Sequence, residues 1–150
     1  MQIPQSDILS TNAMNRVFDT TTATYKFYWL LALLDMHVKE QKDEMLALNV
    51  AARMVAYAWY PTQYFRLSFG KGDSMSKIIP DVALLTGITV DDRLEDKNEA
   101  ISNAILENRE VKKRVKILLN NVPFRFQMPW IDTTDDSEMQ RRSQSFENDC

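Results

Sequence analysis

A chain of 150 residues is long enough for one domain with a proper core, and 45% hydrophobic with 26% charged residues is an ordinary globular balance. A formal net charge of -3 excludes a chain-wide field that would gather nucleic acid, so any phosphate contact needs a local patch. The single cysteine, Cys150, excludes a disulfide framework and a cysteine zinc cluster within the chain, while only 3 Gly and 5 Pro favour helices over tight hairpins.

The N-terminal MQIPQSDILS lacks the charged and apolar regions of a secretory signal. With the lone thiol, this suits a reducing cytoplasm. Residues 1–19 carry a short helical pattern through Ile8, Leu9, Met14, Val17 and Phe18, with Ser6 or Ser10 able to cap it. Thr20–Val38 then reads TTTATYKFYWLLALLDMHV, apolar on nearly every side from Phe27 to Leu34. That composition predicts a helix surrounded by others, a central pillar, and the run is too short and too interrupted for a membrane span. Thr20, Thr21 and Thr22 supply capping hydroxyls, and the polar run Lys39–Glu44 reads as the end of the helix or a solvated link to the next.

A second helix is expected from Asp43 to Trp59, where Met45, Leu48, Ala52, Val55 and Trp59 recur at helical spacing. Ala47, Ala51, Ala52, Ala56 and Ala58 make parts of its surface small enough for close helix approach. Tyr60-Pro61 is expected to end it. Pro61–Gly72 reads as a short helix or turn stopped by Gly70. A helix begins at Asp73 or Ser74, carries Pro80 within its pattern as a kink or a break into two, and closes at Gly87.

The acidic turn Val90–Asp96 leads into Leu94–Leu106, and Asn108 marks a break. From Arg109 to Asn120, Val111, Val115 and Leu118 form one face, while Arg109, Lys112, Lys113 and Lys116 form another. Val122–Ile131, with two prolines and alternating apolar residues, is expected to be extended. The tail from Asp132 to Cys150 is polar. No internal repeat and no low-complexity tract interrupts the chain.

Several residues could carry chemistry. Pro80-Asp81 followed by Glu95-Asp96-Lys97 satisfies the loose PD-(D/E)xK nuclease pattern, in which carboxylates bind a divalent ion. The pattern needs adjacent strands, whereas this region reads as helical, so a solvated acidic turn is the better explanation. His37 is the only histidine, which excludes a multi-histidine zinc site and places the ring at a helix end, near the C-terminal dipole. Gly70-Lys71-Gly72 lacks the length of a phosphate loop. The basic stripe Arg109, Lys112, Lys113 and Lys116, joined by Arg125 and Arg114, could follow a phosphate backbone, against the plainer reading of a solvated helix face. Tyr64-Phe65-Arg66 could stack bases or pack in a core. Phe124, Phe126 and Trp130 are candidates for an apolar interaction surface.

Three strings together, TTATYKFYWLLALLD at Thr21–Asp35, ARMVAYAWYPTQYFRLSFGKGD at Ala52–Asp73 and NVPFRFQMPW at Asn121–Trp130, resemble the N-terminal region of bacterial HNH endonuclease-like proteins. The resemblance spans most of residues 10–150. It implies that the catalytic module, with its metal-binding histidines and cysteines and its divalent metal, lies further downstream. His37 and Cys150 are the only residues of those types here, so no catalytic or metal-binding residue carries over.

The expectation is an all-α, irregular bundle of about six to eight helices around a buried central helix at Thr20–Val38, with one extended segment near Val122–Ile131. Residues 1–131 form one domain, and 132–150 a tail or helix leading to a downstream nuclease module. The expected role is a non-catalytic domain of an HNH-type DNA endonuclease that positions DNA or that module, without a cofactor of its own and without a membrane. The alternatives are a protein-interaction module and a PD-(D/E)xK-like nuclease.

Overall fold

The computed structural model describes residues 11–18, 24–41, 43–67, 69, 74–88, 97–130 and 141. Seven α-helices occupy them: α1 Thr11–Val17, α2 Tyr25–Glu40, α3 Ala47–Gln63, α4 Met75–Thr86, α5 Lys97–Glu107, α6 Arg109–Leu119 and α7 Val122–Gln127. A 3₁₀ turn follows at Met128–Trp130, and no strand occurs among the described residues. The protein is an all-α helical bundle.

Its centre is α3, not the segment Thr20–Val38. Helix α3 buries Val50, Ala51, Ala52, Arg53, Met54, Val55, Ala56, Ala58 and Trp59, residues that point in every direction around its axis. Four helices pack on it: α2, α4, α5 and α6. The alanines explain why, because short side chains let several neighbours approach at once. Helix α2 buries only Lys26, Trp29, Ala32 and Met36, and leaves Phe27, Leu31, Leu34 and Val38 exposed. Its apolar composition therefore reflects two apolar faces instead of enclosure.

Helix boundaries depart from expectation where proline is involved. Helix α3 continues past Pro61 to Gln63, since the ring suits a helical φ and only the bond to the Tyr57 carbonyl is forfeited. Thr62 Oγ1 donates to the Ala58 carbonyl at 2.8 Å within the same turn. The chain leaves through Arg66, held in the left-handed region at φ 51, and Leu67 N–H donates to the Pro61 carbonyl at 3.0 Å. Helix α4 is one element with Pro80 inside it, not two, and the ring lies on its exposed side. Gly87 closes α4 as expected, at φ 65 with its N–H on the Ala83 carbonyl.

The segment Val122–Ile131 is not extended. Val122–Gln127 is helical and Met128–Trp130 is a 3₁₀ turn, while Ile131 lies outside the described residues. Pro123 stands in the first turn, where its missing N–H has no intrahelical partner to lose. The apparent alternation of VPFRF is a single helical turn: Val122, Pro123, Phe124 and Phe126 are buried and Arg125 points out. This short helix packs on α1, α2 and α6 and closes one side of the bundle. The expected caps Ser6, Ser10 and Thr20 to Thr22, the Gly70 stop, the turn Val90–Asp96 and nearly all of the tail lie outside the described residues.

Candidate nucleic-acid interface

Helix α6 is built as the sequence pattern requires. Asn108 has extended dihedrals and its Oδ1 accepts from Glu110 N–H at 3.0 Å and Val111 N–H at 3.2 Å, so one amide satisfies two orphan donors. That cap starts the helix one residue after α5 ends. Val111, Val115 and Leu118 are buried against the bundle, which turns the basic residues outward.

The cations do not all remain available. Lys113 Nζ lies 2.7 Å from Glu110 Oε1 one turn earlier. Arg114 pairs with Asp81 of α4. Arg109, Lys112 and Lys116 make no ion pair among the described residues, and they stand at i, i+3 and i+7 on one side of the helix. Arg109 also lines an open crevice with Leu85, Thr86, Ala104, Glu107 and Asn108. Arg125 is exposed on α7. The six-residue basic patch is thus reduced to a row of three on α6, plus Arg125 on another helix.

The aromatic-basic run at the end of α3 forms a cluster larger than Tyr64-Phe65-Arg66. Tyr60 stacks on Tyr64 at 5.0 Å, and Phe65 meets both edge-on. Lys97, at the start of α5, places its ammonium 4.9 Å from the centre of the Tyr60 ring. Tyr64 and Phe65 are exposed, so this cluster is not core. The contribution of Lys97 was hidden because it is distant in sequence.

The three apolar candidates separate. Phe124 and Phe126 are buried within the bundle, and only Trp130 stays open at 38%, its ring 6.0 Å from that of Phe126. Asp81 is engaged by Arg114 on a helix face, while Glu95 and Asp96 lie outside the described residues. His37 sits in the last turn of α2 with Nδ1 3.5 Å from Asp43 Oδ1. Among the described residues no group of His, Cys, Asp or Glu could hold a metal ion, and no helix is long and apolar enough to cross a membrane.

A buried cation escaped the sequence reading altogether. Lys26 is enclosed where α1, α2 and α7 meet, and its Nζ donates to the Val17 carbonyl at 2.7 Å. Burial, then the nearby Arg125 charge, pushes its pKa below the usual 10.5. Between the lowered native value and 10.5 the unfolded chain binds a proton that the native protein does not, so stability rises with pH through that window. Wild type is therefore expected to gain stability relative to Lys26→Met as pH climbs from neutral towards 10, in paired urea titrations. Parallel profiles would show that burial does not disfavour the charged lysine.

Comparisons with protein-family models, with curated proteins and with solved structures find no match for the chain.

Proposed function

We propose that this chain is a non-catalytic, DNA-contacting helical domain of an HNH-type endonuclease, the class suggested by its resemblance in sequence. The observation that carries the DNA contact is the row Arg109, Lys112 and Lys116, aligned on α6 and free of carboxylate partners among the described residues. These residues span about 10 Å of helix, roughly three phosphate-to-phosphate steps along one strand. Hydrolysis and its divalent metal would belong to a downstream module, which this domain would help to place on DNA.

Three phosphate contacts predict a salt dependence with a slope of about -2.7 in log affinity against log salt. Reversing Arg109, Lys112 and Lys116 together to glutamate is expected to remove most of the duplex affinity and most of that slope. Fluorescence anisotropy with a labelled duplex, at several salt concentrations, reads both. Unchanged affinity and slope would refute the reading, and an unchanged far-UV spectrum would show that the fold survived.

The interaction module built on Phe124, Phe126 and Trp130 is less favoured, because a partner cannot reach two of its three anchors without unfolding α7. A PD-(D/E)xK centre gains nothing from an Asp81 that is helical and paired with Arg114.

A further inference from the structure

Helix α2 shows an apolar face that the bundle does not use. Trp29, Ala32 and Met36 are buried, while on the opposite side Phe27, Leu31, Leu34 and Val38 are 49, 42, 52 and 71% exposed. The steps between these four are four, three and four residues, the alternation of a coiled-coil seam, which keeps a stripe facing one partner helix. Phe27 rests one ring face on Phe18, at 4.7 Å between centroids, and is thereby oriented. Half-buried Leu30 and Tyr28 widen the stripe on its two sides.

We infer that a second copy of this chain covers the stripe, with α2 packed antiparallel on α2 across a twofold axis between Leu31 and Leu34. The spacing reads the same in both directions. Antiparallel pairing therefore sets Leu31 against Leu34 of the other copy and Phe27 against Val38. The largest side chain meets the smallest at both ends, which keeps the helices level. A parallel pair would set Phe27 on Phe27 and Val38 on Val38 and splay them. An isologous contact requires this kind of self-complementary surface.

The charges agree. No charged residue stands on the stripe, and the two beside it are engaged within their own copy. Asp35 is held by Lys39 and Arg53, and the His37 ring lies 3.5 Å from Asp43 Oδ1, so the carboxylate beside the stripe is not left to face its copy in the partner. The four side chains present on the order of 400 Å² of apolar surface, as large as the main patch of a typical monomer. Two copies with their rims bury roughly 1,000–1,200 Å², at the low end of specific interfaces. An interface of that size fits a reversible dimer that forms as concentration rises, not a permanent one.

Sedimentation equilibrium of the whole chain over a wide concentration range tests this, independently of any DNA contact. Wild type is expected to shift from monomer to dimer mass as concentration rises, and to stop at the dimer. Leu31→Glu/Leu34→Glu is expected to remain monomeric throughout with its thermal transition intact, since both positions are solvent-exposed in the monomer. Ile117→Glu, at an exposed apolar position of α6, should dimerise like wild type. A wild type that stays monomeric at every concentration overturns the inference, as does a double variant that dimerises as well as wild type. Phe27→Lys and Val38→Glu copies should each associate poorly alone and recover on mixing; failure to recover would overturn the antiparallel pairing.

Discussion

Replacing Arg53 with alanine is expected to destabilise the protein by about 3–5 kcal/mol, the cost of breaking a buried ion pair from one side. Arg53 lies between α2 and α3, with Nη1 3.5 Å from Asp35 Oδ2 and Nη2 3.2 Å from Glu40 Oε1. The Asp35 side chain is as enclosed as the guanidinium. Its other oxygen, Oδ1, has Lys39 Nζ at 2.9 Å, whereas Oδ2 accepts no hydrogen bond and depends on the charge of Arg53. Without Arg53, the Asp35 carboxylate is left in the α2–α3 seam with only Lys39 and the Tyr57 hydroxyl as partners. Arg53→Met combined with Asp35→Leu should be less damaging than Arg53→Ala, because the enclosed carboxylate is removed together with the guanidinium, and Lys39 and Glu40, which lose a partner, are more open to water. Urea unfolding of the three proteins measures this. A single-variant loss below about 1 kcal/mol would mean that the pair behaves as a solvated surface bridge.

Trp59→Ala should cost about as much, roughly 3–5 kcal/mol, through the cavity it leaves. Trp59 is 2% exposed at the end of the stretch of α3 that the other helices surround. For a domain of this size each kcal/mol lowers Tm by about 2–4 °C, so a fall on the order of 10 °C is expected. Trp130→Ala provides the contrast, since its ring is partly open to solvent and sits at the margin of the bundle. Thermal melts of the two variants should differ several-fold in their displacement from wild type. Equal displacements would contradict the placement of the core around α3.

The helical class was readable because the periodic segments are long and strand signals are few. Val111, Val115 and Leu118 announced the buried side of α6, and Asn108 announced a break before it but not the cap that its side chain forms. Which helix lies at the centre was not readable from hydrophobicity. FYWLLALL is more apolar than VAARMVAYAW, yet the alanine-rich segment is the enclosed one, because enclosure by four neighbours demands small side chains as well as apolar ones. Local rules about proline misled at Tyr60-Pro61, where the ring's φ is helical and one lost hydrogen bond does not stop α3, and at VPFRF, where Pro123 stands in a first turn that has no use for its N–H. In the candidate interface, the basic residues and their common face were legible on α6. Their partners were not: Asp81 lies 33 positions from Arg114, and Lys97 reaches Tyr60 from another helix. Such pairings exist only once the helices have docked.

The one-residue junction at Asn108 has a consequence for how this protein can vary. An ordinary surface loop absorbs insertions and deletions, because its slack isolates the elements on either side. Here α5 ends at Glu107 and α6 begins at Arg109, and the same amide serves as joint and cap. One residue gained or lost between Asn108 and Val111 turns whatever precedes it by about 100° relative to the buried valines. Substitutions along the outer side of α6 leave that phase untouched, so side-chain identity there answers to what the surface contacts, while its length is fixed by how the helix seats on the bundle.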